Sequence, residues 1–174
     1  GMGGAAAGEV ASKTAAEAEI NLLIELSANP QSPHFQGIDH LAQKKYNGDR
    51  RAALIDLVVS TQAKAVFEKK KQTNTDLGTT STEFFVFSDA IYSANVGDSR
   101  GYIEQGSGYF RVTNDHSLVE ALVSSGQITQ EQALTHPQKN EIYRTLGEKA
   151  EVLVEIKKMG SLPQGEFTLL VACD

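Results

Sequence analysis

The pentapeptide Val96-Gly97-Asp98-Ser99-Arg100 puts one carboxylate in a glycine turn between two runs of strand-forming residues. Two other stretches share that chemistry. The chain opens on Gly1-Met2-Gly3-Gly4, and it closes on Asp174 after an apolar run. Glycine-dense turns let a backbone carbonyl approach an ion closely. Carboxylate oxygens at strand ends are the ligands that hard cations such as Mg²⁺ or Mn²⁺ prefer. Asp98 also has a plain reading as hairpin chemistry, because an Asp side chain in a Gly-Asp-Ser turn bonds the nearby backbone.

The remaining reactive side chains read more simply. His34 and His40 lie six apart in a proline-marked stretch, without helical metal-pair spacing, and are taken as surface polar residues. His116 and His136 have no convincing nucleophile to serve, so an ordering role in their own segment is expected. Cys173, in an apolar run, reads as a small buried hydrophobe. Arg100 is expected to pair with a local carboxylate, and Lys69, Lys70 and Lys71 to close a solvated helix end.

The elements that would carry these residues follow from periodicity. A helix over 8–28 places Val10, Thr14, Ala18 and Leu22 on one stripe and stops at Asn29-Pro30. Residues 29–40 read as a loop with two prolines and a glycine. A second long helix, over 47–72, is expected to bury Leu54, Leu57, Val58, Thr61 and Ala65. An antiparallel meander of about four strands follows, with 94–103 as one of its hairpins. Ser117 and Thr129 are N-cap candidates for two short helices. Two strands close the chain, the last continuously apolar and so expected inside a sheet. Segregated helices and antiparallel strands define an α+β fold.

Bulk properties narrow the function. The 174 residues suit one domain, here 1–174. Sixteen basic against twenty-two acidic residues give a net charge of −6, which argues against nucleic acid or an anionic membrane as main partner. A single cysteine excludes an internal disulfide and suits a cytoplasmic location.

Taken in order, GMGGAAAGEVAS, LGTT, ANVGDSRGYI, the run from Asp115 to Leu146, and LLVACD resemble the metal-dependent protein phosphatases, the type 2C serine/threonine family in its bacterial form. The resemblance implies a four-layer β-sandwich of antiparallel sheets flanked by helices, with two or three Mg²⁺ or Mn²⁺ ions. It implies hydrolysis of phosphoserine and phosphothreonine in phosphorylated proteins through a metal-bridging water. Gly1, Asp98 and Asp174 would be metal ligands. Residues 115–146 would form a substrate flap, with Asp115, His116, Ser117, His136 and Asn140 in it.

The departures shape the expectation further. Ala5 stands where the family has His, and the family's phosphate-gripping arginine and its final Asp-Asn pair have no counterpart here. The chain is therefore expected to be a domain truncated at both ends, with weak or no activity by itself. It would be a candidate homodimer through uncovered strand edges. The alternative is a non-catalytic phosphatase-like regulatory module.

Overall fold

A computed structural model describes residues 5–106, 108–160 and 165–173. Helix α1 spans Ala5–Ala28, α2 Pro33–Lys45 and α3 Arg50–Thr73. Strands β1 (Ser81–Val86), β2 (Ile91–Val96), β3 (Arg100–Gln105) and β4 (Gly108–Arg111) follow. Then come α4 (Leu118–Ser124), α5 (Gln130–Thr135), β5 (Glu155–Lys158) and β6 (Phe167–Ala172). The α+β class and the two antiparallel sheets agree with the expectation from sequence.

Several elements differ from that expectation. The 29–40 loop is half helix, because Ser32 caps α2 and Pro33 occupies its first turn, where a missing N–H costs nothing. In α3 the buried stripe runs through Ile55, Val59, Gln62 and Val66, so of the five residues expected inside, Val58 alone is fully buried. In α1 the buried positions are Ala11, Ala15 and Leu22, while Val10 faces out. Small side chains win there because α1 lies directly against α3, and alanines let two helix backbones approach.

The strands do not form one meander. Strands β1, β2 and β5 make one sheet in the order β1-β2-β5, and β3 joins a second in the order β4-β3-β6. Segment 94–103 is therefore not a hairpin: residues 97–99 carry the chain from one sheet to the other. The last strand, β6, pairs with β3 at a sheet edge rather than inside a sheet, with Leu170 and Val171 about half exposed. Cys173 beyond it is exposed, not buried.

Layering follows from side-chain size. Helix α3 sits on β2 and β5, and β1 contacts β3 and β6 on the other side. Strand β2 is buried along its whole length as a result. Val59, Ala63 and Val66 meet Tyr92, Ala94 and Val96, and Leu146 and Val154 close the core. Asp49 caps α3 by accepting from the Arg51 and Ala52 amides, both at 3.0 Å, and it also takes the Tyr92 hydroxyl at 2.9 Å. Burial alone would raise the Asp49 carboxyl; these donors bring it below the ordinary range instead. A buried carboxylate, Asp56, is held by Lys45 Nζ at 2.7 Å and the Tyr46 hydroxyl at 2.8 Å. Among the described residues, no helix is long and apolar enough to cross a membrane.

Beneath α1 lies a cavity of about 220 Å³, lined in part by Glu19, Gln62 and Glu83. Gln62 is 2% exposed. Its Nε2 donates to Glu19 Oε2 at 3.0 Å and to Glu83 Oε1 at 2.7 Å. Burial, then the neighbouring Glu83 charge, push the Glu19 carboxyl up to about 7. The folded state therefore holds a proton that the unfolded chain releases near 4.5. Stability should fall as pH rises from about 4.5 through about 7 and then level off. Melting of the wild type and of Glu19→Gln across pH 5 to 8 checks this. The wild type should lose on the order of 1–2 kcal/mol relative to the variant, and parallel curves would contradict it.

Candidate functional site at the crossover between sheets

The crossover turn is built on one glycine. Gly97 has φ +113°, a conformation that side chains rarely adopt. A Cβ there would lie 2.3 Å from Thr80 Cγ2 and 2.7 Å from Thr80 Cβ. Below the turn, Asn95 Nδ2 donates to Gly97 O at 3.2 Å and to Asn114 O at 2.8 Å. Thr82 Oγ1 donates to Asn95 Oδ1 at 2.6 Å, which orients that amide. Ser99 Oγ and Thr80 Oγ1 lie 2.7 Å apart. These bonds leave Asp98 half-buried at the tip of a turn whose backbone is fixed on both sides.

The residues after β4 close on that turn. Asp115 is buried, and Arg100 meets it through two nitrogens, Nη2 at 2.6 Å and Nε at 3.1 Å. Arg111 Nη2 adds a third bond at 2.7 Å. The Asp115 hydrogen bonds hold the Arg100 guanidinium firmly charged, above its already high range. Arg100 thus has the local carboxylate that the sequence led us to expect.

His116 is 3% exposed. Gly97 N–H donates to its Nδ1 at 3.0 Å, so that nitrogen carries the lone pair. The ring proton then sits on Nε2, which faces Glu155 Oε2 at 3.3 Å. Arg144 Nη1, a donor only, reaches the same nitrogen at 3.0 Å but cannot bond to a protonated one. The His116 bond holds the Glu155 carboxyl at about 2 against its burial, and Lys157 adds to the effect.

Ser117 caps α4 by accepting from Glu120 N–H, and Thr129 with Gln132 forms a capping box on α5. Both caps match the sequence reading. His136 ends α5, accepting from Gln138 N–H at 3.1 Å, and Asn140 is exposed. A groove of about 240 Å³ between these helices and β3 is lined by Arg100, Asp115, Val119, Leu134, Lys139 and Asn140 among others. His116 thus meets the turn directly and Asp115 meets it through Arg100, while Ser117 caps α4, Asn140 lines the groove and His136 serves its own helix end. Gly1 and Asp174 lie outside the described residues. Glu155, Arg111 and Arg144 had no signal in the sequence, since each reaches the cluster from a different element.

Asp98 is a hard oxygen donor and fits as one ligand of a divalent cation. Among the described residues, no group of three or more His, Cys, Asp or Glu side chains comes together to complete such a site.

Two antiparallel sheets, the first backed by α3, with a carboxylate on the crossover between them, define the class. A family model for protein phosphatase 2C matches residues 8–121, and the chain belongs to that family. The serine/threonine phosphatase stp of Listeria monocytogenes is 42% identical over 79 residues, covering 45% of this chain and 31% of that protein. Protein phosphatase PhpP of Streptococcus pneumoniae is 37% identical over 94 residues, covering 54% of this chain and 38% of that one. The chain thus spans about a third of the length of these curated relatives. Among solved structures, the serine/threonine phosphatase PstP/Ppp of Mycobacterium tuberculosis is 29% identical with a TM-score of 0.70 over 98% of this chain and 63% of that one. The catalytic domain of PstP in complex with two manganese ions, 28% identical, has a TM-score of 0.63.

Proposed function

We propose that this chain is part of a cytoplasmic, metal-dependent phosphatase acting on phosphoserine and phosphothreonine in proteins, and that Asp98 is one of its metal ligands. The observation that carries the reading is the crossover turn. It holds a carboxylate on a backbone that glycine geometry and buried hydrogen bonds fix in advance, in a chain of this family. Gly1 and Asp174 match the other ligands. When bound, Mg²⁺ or Mn²⁺ would supply Lewis acidity toward the phosphoryl oxygens.

The chain's own residues do the positioning. Asp98 would hold the cation. Arg100, committed to Asp115, is not free to grip phosphate and instead fixes the start of the 115–146 flap. The groove beside β3 would receive the substrate's neighbouring side chains, with Lys139 and Asn140 as polar contacts.

In the full-length protein, Asp98→Ala should slow Mn²⁺-dependent hydrolysis of p-nitrophenyl phosphate by about tenfold or more without lowering the melting temperature. An unchanged rate would return Asp98 to turn chemistry. The 174 residues by themselves should turn over weakly or not at all, since only Gly1, Asp98 and Asp174 match the family's metal ligands. Brisk turnover abolished by Asp98→Asn would overturn that part. Binding of phosphoproteins with no turnover in the full-length protein would favour the regulatory module.

The 174-residue chain is further proposed to self-associate. Among the described residues each sheet has three strands, and β6, which pairs there with β3 alone, presents Leu170 and Val171 to solvent. Light scattering after size exclusion should give twice the 18.8 kDa chain mass. A monomer at every concentration would refute it.

A further inference from the structure

His116 touches three separate parts of the fold. Its backbone N–H donates to Gly97 O at 2.9 Å, and its carbonyl accepts from Tyr143 N–H, also at 2.9 Å. Its Nδ1 accepts from Gly97 N–H, and its Nε2 faces Glu155 of β5. Because the ring is buried, water cannot replace a lost partner, and a broken bond leaves an unsatisfied group.

Gly97 therefore gives both of its backbone polar groups to His116, its carbonyl also accepting from Asn95 Nδ2. Its carbonyl belongs to the peptide plane that carries Asp98 N, so the bond from His116 N–H, with the longer one from Asn95 Nδ2, sets the tilt of that plane. Its N–H, held by the imidazole, sets the other side of the same residue. Tyr143 lies on the return leg of the 115–146 segment, one residue beyond the Ser117–Ile142 bridge that closes it. A shift of the return leg would pull on the His116 carbonyl and reach Gly97 within one residue.

The geometry points to His116 as a positioning residue that couples the 115–146 segment to the Gly97–Asp98 turn: where the segment lies sets where the Asp98 carboxylate points, and hence how tightly the turn holds a divalent cation. The cation half of this inference rests on the reading of Asp98 as a ligand; the mechanical half does not.

Two substitutions in the full-length protein separate the bonds. The Oδ1 of Asn falls near the place of Nδ1, so His116→Asn keeps an acceptor for Gly97 N–H and drops Glu155. The longer amide of His116→Gln reaches toward Glu155 and leaves Gly97 N–H without an acceptor. Amide hydrogen exchange at Gly97 reads the clasp, and Mn²⁺ binding followed by water-proton relaxation reads the cation without any turnover. In the Gln variant Gly97 should exchange about tenfold faster or more, and Mn²⁺ affinity should drop about tenfold. The Asn variant should stay within about twofold of wild type on both measures. Equal behaviour of the two variants overturns the clasp. Unchanged Mn²⁺ binding in the Gln variant, with Asp98→Ala weakening it, overturns the coupling. Unchanged binding in Asp98→Ala overturns instead the ligand reading beneath it.

Discussion

Replacing Gly97 by alanine is expected to cost on the order of 3 kcal/mol of stability, summing backbone strain and overpacking. The φ of +113° supplies the strain, and the Cβ contacts with Thr80 at 2.3 and 2.7 Å supply the overpacking. The two sources can be separated. Thr80→Ser removes Cγ2 while keeping the hydroxyl that meets Ser99 Oγ. Adding it to Gly97→Ala should recover the part of the loss due to Cγ2 and leave behind the strain and the Thr80 Cβ contact. Urea unfolding of the two single variants and the double variant measures each share. A loss under about 1 kcal/mol for the single change would mean that the turn relaxes freely.

Asp115→Asn should cost about 2–3 kcal/mol, less than the full penalty for breaking a buried ion pair because its partners keep some water. Arg100 is 48% exposed and Arg111 26%, against 6% for the Asp115 side chain. The amide keeps the volume and one acceptor but leaves two guanidinium groups facing a neutral side chain. Loosening should concentrate in 115–146, so tryptic cleavage after Lys139 and Arg144 should speed up before global unfolding does. Unchanged cleavage with unchanged stability would show that the two arginines find other partners.

Local signals carried most of the helices and both short caps. Ser117 and Thr129 were legible because a cap is a contact between residues three apart, as in the Thr129–Gln132 box. The pairing of Arg100 was legible in kind, though not its partner fifteen residues on. The sheet partition was not legible. Gly-Asp-Ser between two strand-forming runs favours a hairpin locally, and what overrides it is tertiary. Strand β2 pairs with β5 and β3 with β6, partners far along the chain that no local signal names. The phase of the α3 stripe was missed for the same reason. Polar Gln62 is buried because two carboxylates from α1 and β1 accept its protons, a fact of assembly that hydropathy does not encode.

The split between sheets also orders events in time. Helices α1 and α3 and the β1–β2 hairpin all precede Gly97 and can gather a core before the second sheet forms. Strand β3 pairs from Arg100 with Ala172, so one flank of β3 stays open until the chain has been made as far as β6. The entropy of closing that long loop is spent after the first sheet has formed. During synthesis, β3 and β4 must leave the ribosome with one flank unpaired, and aggregation of the nascent chain would begin at that flank.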